Sequence, residues 1–325
     1  MVSESTFKSI PLDSIDIGNQ RFRISTGDPE EPLVASIDLL GVLTPPILLP
    51  ADQSFAIVSG FKRIRACAQL GMQKVTARVL SCHTPEEQCI HIAISDNALN
   101  RELNLIEQAH AIQMLDSVCT DPETVCLQAR RLGLSINVDL AEKLRKVAQM
   151  DALLQKALIL GHVALPVALR LHASSDTSTI RRLVDILADV GLSLNRQREW
   201  LDLLFGISRR DGIDVGTLLN EDDVKAILND DTLDRRQKGR QVRQLFRKWR
   251  YPEITATQEL YNRTVKALKL GEGTQLIGPQ YFESQTYTLK LDFKDYEELI
   301  QRYKALAEPV HSSVMKSFWD MLKQV

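Results

Sequence analysis

Three cations, Lys62, Arg63 and Arg65, crowd the turn that follows Gly60 in Gly60-Phe61-Lys62-Arg63-Ile64-Arg65. That arrangement suits an anion. A helix beginning at Gly60 offers backbone N–H groups without intrahelical partners and the positive end of its dipole. Lys62, Arg63 and Arg65 add side-chain donors that match phosphate oxygens. Farther along, Asp96-Asn97 sets a carboxylate beside a carboxamide, two oxygen donors of the kind a hard divalent cation takes. Taken alone, the basic turn also reads as a solvated face, and Asp96-Asn97 as a polar step at a helix end.

The elements around these residues have strand and helix signatures. Ala56-Ile57-Val58 is an apolar run of strand length that Gly60 punctuates. Phe61, Ile64, Cys67 and Ala68 then mark one helical face, which stops at Leu70-Gly71. Strands are expected at 7–12, 47–49, 55–58 and 75–80, and helices at 32–40, 61–70, 86–99 and 104–118. The first third therefore reads as mixed α/β.

Three ordered motifs occupy this region: Gly41-Val42-Leu43-Thr44-Pro45, then Gly60 to Ala66, then Asp96-Asn97 with Arg101 and Leu103-Asn104-Leu105-Ile106-Glu107-Gln108-Ala109. Their order and spacing resemble the N-terminal domain of ParB-type chromosome and plasmid partition proteins. The resemblance implies an α+β chain: a ParB/sulfiredoxin-like nucleotide-binding domain over 1–118, an all-α helix-turn-helix domain over 119–213, and a small α+β domain with a basic helix over 214–325. It also implies a pocket for CTP with Mg²⁺. Gly60, Phe61, Lys62, Arg63 and Arg65 would face the phosphates, and Asp96 and Asn97 would hold the metal. Thr44 and Pro45 would lie near base or ribose, with Arg21 and Arg23 reaching phosphate.

Three positions depart from the family pattern. Phe61 stands where the family has Glu, Lys62 where it has Arg, and Asp96 where it has Glu. Lysine is a point charge where arginine makes a forked contact. The CTP reading allows a weak CTPase; the rival reading is an enzyme on the same fold, such as a small-molecule kinase using a nucleotide, with Glu102 or Glu107 as its base. A sulfiredoxin would need a thiol at the glycine turn, whereas Cys67 lies seven residues beyond Gly60.

Downstream, Asp121-Pro122-Glu123-Thr124 starts a helix ending at Gly133, and Ser135 is expected to cap the next, which runs to Met150. Ala129 and Gly133 have helix-turn-helix spacing. Ser135 and Asn137 would meet bases, while Arg130, Arg131, Lys143 and Arg145 would grip the DNA backbone. The densest basic run, from Arg235 to Arg250, places Arg236, Arg240, Arg243 and Arg247 on one helical stripe and Val242, Leu245, Phe246 and Trp249 on another. That stripe is a second DNA-backbone candidate, though charge runs also form solvated faces. Residues 287–293 alternate as a half-buried strand, followed by helices at 294–306 and 312–323. A strand followed by a helix there resembles the C-terminal dimerisation module of ParB proteins.

Composition limits the remaining choices. The 325 residues carry a net charge of -2, so any polyanion must meet local patches instead of a basic whole. Hydrophobic content is 44 % with mean hydropathy -0.13, and no apolar run reaches membrane-spanning length. The expected setting is the cytoplasm, with nucleoid association. Five cysteines without a Cys-x-x-Cys pair fit reduced thiols, and the spacing of Cys82, His83, Cys89 and His91 matches no common zinc pattern. Expected partners are DNA, a second copy of the chain and a ParA-type ATPase, although residues 1–9 display no Arg- and Leu-bearing peptide for the last.

Overall fold

A computed structural model describes residues 5–174, 176–279 and 286–322. The chain divides into two compact units, Met1–Val184 and Asp185–Val325.

The first unit is built on a five-stranded sheet. Its strands are β1 (Ser5–Pro11), β2 (Ile15–Asp16), β3 (Ile47–Ala51), β4 (Ser54–Ser59) and β5 (Lys74–Leu80), in the order β1-β5-β3-β4-β2. β3 and β4 form a hairpin, while β3 pairs parallel with β5 and β2 parallel with β4. Strand β2 was not expected; two residues are too few to show alternation. Helices α1 (Glu31–Leu40), α2 (Phe61–Gln69) and α3 (Glu86–Ala98) cover the sheet. Ile37, Leu48, Ile57, Phe61 and Ile64 share one core, and Val58, one residue out of phase, is fully buried as well. β4 therefore ends rigidly, with Gly60 at its exit. On α2, Ala68 is exposed and Ala66 buried, contrary to the expected face. α2 also packs against α1, which rotates and widens its buried side.

Five helices continue the chain: α4 (Leu105–Asp116), α5 (Pro122–Arg131), α6 (Val138–Ala148), α7 (Ala152–Ile159) and α8 (Leu165–Ser174). They are followed by α9 (Thr177–Val190), within which the division into units falls.

The second unit holds α10 (Leu194–Asp211), α11 (Val215–Leu219), α12 (Asp222–Leu228), α13 (Arg235–Arg250) and α14 (Pro252–Leu268). An antiparallel pair, β6 (Thr274–Ile277) and β7 (Thr288–Leu291), precedes α15 (Tyr296–His311) and α16 (Ser313–Leu322). Val242 and Phe246 of α13 are fully buried, with Phe246 edge-on to Trp200 of α10 at 5.3 Å. Arg210 donates to the carbonyls of Trp249 and Arg250 at 2.8 Å each, satisfying the end of α13. The expected strand at 287–293 is shorter, and its alternation is not matched by burial. Leu289 and Phe293 are 38 % and 50 % exposed. A two-stranded ribbon has too little cover to bury a whole face. Position 323, the end of the last expected helix, lies outside the described residues. Among the described residues, no helix is long and apolar enough to cross a membrane.

Candidate functional site

The glycine turn and the Asp96-Asn97 corner face one cavity. It measures about 430 Å³ and is lined by Thr44, Gly60, Phe61, Lys62, Arg63, Asp96, Asn97 and Arg101, among others. Gly60 has φ 97°, a left-handed conformation, and a Cβ there would come within 2.8 Å of Pro46. Only glycine fits. It caps α2, whose first N–H groups then open onto the cavity wall.

The charges in this cavity are neutralised from within. Arg63 donates to Asp96 Oδ2 at 3.1 Å and to the Thr44 carbonyl at 2.6 Å. The Ser59 hydroxyl also donates to Asp96 Oδ2. Both contacts use Oδ2, which leaves Oδ1 for a cation. Lys62 pairs with Glu30 at 3.0 Å and Arg65 with Asp28 at 2.8 Å. Asn97 Oδ1 accepts from Arg101 at 3.3 Å, while its amide donates to the Ala93 carbonyl at 2.8 Å.

Behind Arg101 lies a buried polar network. Glu107, 1 % exposed, accepts from Arg101 through both oxygens at 2.6 and 2.9 Å, and from the Thr26 N–H at 3.0 Å. It also accepts from the Asn104 N–H, completing the capping box that begins α4. Burial pushes the Glu107 carboxyl up. The Arg101 hydrogen bonds and charge, with the Thr26 and Asn104 amides, outweigh that and hold it below the usual carboxylate range. Glu107 is committed to this network and does not line the cavity, so it is poorly placed as a catalytic base. Glu102 lies outside the cavity lining too.

Other expected contacts lie elsewhere. Arg21 and Arg23 do not line this cavity; Arg21 pairs with Glu86 at 2.7 Å, and Arg23 donates to Gln20, Ser25 and Gly27. Both line a separate hollow. Arg65 points along α2 to Asp28, and Pro45 offers only its carbonyl to Arg63, at 3.3 Å. Sequence reasoning had left Arg101 out of the site, although its i+4 spacing from Asn97 was a usable signal. Asp28 and Glu30 gave no such signal, because their role depends on a loop that folds back over α2.

The expected helix-turn-helix falls on α5 and α6, two helices joined by the short turn at 132–137. Gly133, at φ 98°, turns so tightly that a Cβ would meet Leu99 at 2.9 Å. Asn137, and not Ser135, caps α6, its side chain accepting from the Leu140 N–H at 2.8 Å. The buried Leu134 and Ile136 draw the turn inward and delay the helix start to Val138. Arg130, Arg131 and Ser135 are exposed. Lys143 pairs with Asp139 at 2.5 Å. Arg145 is locked to Asp116 by two 2.8 Å bonds, fastening α6 to the end of α4 instead of projecting to a partner. On α13, Arg236 and Arg240 are exposed and Arg247 half-buried, whereas Arg243 pairs with Glu199 at 3.2 Å.

Residues 1–98 match the family described as the ParB N-terminal domain. The match ends with α3 and so takes in the Gly60 turn and Asp96-Asn97, while Asn100 and Arg101 of the cavity lining lie beyond it. This stretch is similar to ParB N-terminal domains. Relatives of the ParB domain and its flanks include a probable chromosome-partitioning protein ParB of Coxiella burnetii, 28 % identical over 181 residues, covering 55 % of this chain and 61 % of that protein. The counterpart in Pseudomonas putida is 31 % identical over 117 residues, or 35 % and 39 % of the two chains. A probable plasmid-partitioning protein ParB of Xylella fastidiosa is 32 % identical over 110 residues, or 33 % and 27 %. The chain thus spans between 27 % and 61 % of the length of these ParB relatives. Among solved structures, C-terminally truncated ParB of Caulobacter crescentus with CTP-γ-S is 20 % identical at TM-score 0.27, covering 55 % of this chain and 99 % of that one. The same protein with the centromeric parS site is 20 % identical at TM-score 0.34, covering 58 % and 96 %.

Proposed function

We propose that this chain is a DNA-binding partition protein whose ParB domain is gated by CTP and Mg²⁺. The observation that carries the proposal is the shared cavity, with the Gly60 helix start and Lys62 and Arg63 on one wall and Asp96, Asn97 and Arg101 on the other. A triphosphate would exchange the internal carboxylates for its own oxygens. Asp96 and Asn97 would hold Mg²⁺, which needs few protein ligands because phosphates and water complete its shell.

DNA would meet Arg130, Arg131 and Ser135 at the helix-turn-helix, with Arg236, Arg240 and Arg247 as backbone contacts on α13. Relatives described as chromosome- and plasmid-partitioning proteins support the process. A ParA-type ATPase would be the motor partner. Homodimerisation is supported by α15, where Tyr296, Tyr303 and Val310 recur every seven residues and are 74 %, 67 % and 39 % exposed. Such a stripe is a partner surface in search of cover. Replacing Tyr296 and Tyr303 with Glu should turn a dimer into a monomer in sedimentation equilibrium; a wild-type chain already monomeric at high concentration rejects this assignment.

Calorimetric titration with CTP, ATP, GTP and UTP, each with Mg²⁺ and with or without duplex DNA, tests the central claim. Tighter binding of CTP than of the other three is expected. Equal or absent affinity across the four would overturn it.

A further inference from the structure

The hollow that takes Arg21 and Arg23 is the larger of the two cavities beside the loop at 20–27. It measures about 650 Å³. One wall is that loop, another is the α4 face bearing Ile106, His110, Gln113 and Met114, and the third is the α7 face bearing Ala152, Gln155, Lys156 and Ile159. Helical spacing accounts for both sets: i, i+4, i+7, i+8 on α4 and i, i+3, i+4, i+7 on α7.

The charges lining this hollow do not balance. Glu86 is its one carboxylate, and it is spent on Arg21 at 2.7 Å. Among the described residues Arg23 donates only to neutral acceptors: Gln20 Oε1 at 2.8 Å, the Ser25 carbonyl at 2.9 Å and the Gly27 carbonyl at 2.8 Å. A guanidinium has five N–H donors, so two remain. Lys156 is exposed and makes no ion pair among the described residues. His110 holds the Ile24 carbonyl through Nδ1 at 3.2 Å, which leaves Nε2 as a further polar atom on that wall. Burial, together with repulsion from Arg65, pulls the Arg23 guanidinium below its ordinary pKa, and Asp28 offsets this only in part.

We infer that this hollow is a second anion site, distinct from the Gly60 cavity, and that it takes a small phosphate-bearing molecule between Arg23 and Lys156. An incoming phosphate would satisfy the two spare N–H groups of Arg23 and supply the counter-charge Lys156 lacks. The site does not rest on the CTP reading. Ser25 lines both cavities, so the two sites share one backbone segment.

Met114 provides a reporter in the wall, and the other described methionines lie outside it. The full-length protein, labelled with ¹³C at its methionine methyls, is titrated with inorganic phosphate at constant ionic strength, the Met114 resonance being identified from Met114→Leu. A saturable shift of that resonance is expected. Affinity should be at least about tenfold weaker in Lys156→Ala and in Arg23→Gln, as each removes a cation and its charge-assisted hydrogen bonding to the phosphate. It should be unchanged in Arg63→Ala, which alters only the Gly60 cavity. Lys156 is a surface helical position, so Lys156→Ala keeps the test meaningful even if Arg23→Gln disturbs the loop. No saturable shift, undiminished affinity in Lys156→Ala, or loss of binding in Arg63→Ala would each overturn the inference. So would a Met114 shift produced by a DNA duplex but not by phosphate, which would assign the hollow to the DNA backbone.

Discussion

At the scale of single residues, Glu107 and Arg63 do different work. Glu107 holds Arg101 against the cavity from behind, and its folded-state carboxyl lies below the unfolded value. The stability it contributes is therefore present above about pH 4.3, the unfolded pKa of Glu, and is lost as pH falls through the folded pKa. Glu107→Gln should cost about 1–3 kcal/mol near neutral pH, because Arg101 and two backbone amides lose their charged acceptor. The gap between wild type and variant should narrow in denaturant titrations below pH 4, and a gap that stays constant would refute the assignment. Arg63→Ala should weaken nucleotide binding about tenfold, as expected when a charge-assisted hydrogen bond is removed, while thermal unfolding shifts little. The two side chains were differently legible beforehand. Arg63 announced itself by following a glycine at a strand exit. Glu107 had the capping-box pattern, but its bond to Arg101 required the turn between α3 and α4 to be known.

Among the elements, α6 and α13 show how patterning alone misjudges charged side chains. α13 was legible from apolar spacing and α6 from the turn and cap residues before it, and Val242 and Phe246 are buried on the face their periodicity indicated. Periodicity does not say which cations are already engaged. Arg145 faces Asp116, twenty-nine residues away, and Arg243 faces Glu199 on α10. In the proposed DNA interface, backbone contact by α13 would therefore fall to Arg236, Arg240 and Arg247. Replacing those three with Ala should flatten the plot of log affinity for duplex DNA against log salt, by about 0.9 for each phosphate no longer neutralised. A slope identical to wild type would remove α13 from the interface. Asp116→Ala, which touches no proposed contact, should also weaken DNA binding by releasing α6 from α4. Circular dichroism should be nearly unchanged.

For the whole molecule, the near-neutral charge of -2 matters more than any one helix. It would make the proposed DNA attraction a property of patches, so nonspecific affinity should vanish at modest salt while site binding persists. The ParB-like domain was readable because several motifs of one fold lie in order along its length, with a sheet whose strands carry their own apolar runs. The second unit was less readable, since its two-stranded ribbon leaves apolar side chains uncovered. The internal pairing of Lys62 with Glu30, and of Arg65 with Asp28, has one more outcome for a ligand that displaces those acids. Dissolved ions loosen the clasp as well as the newcomer's grip, and the two losses partly cancel. Nucleotide capture should then tolerate brine that strips the same molecule from DNA, leaving a loaded protein free of its track.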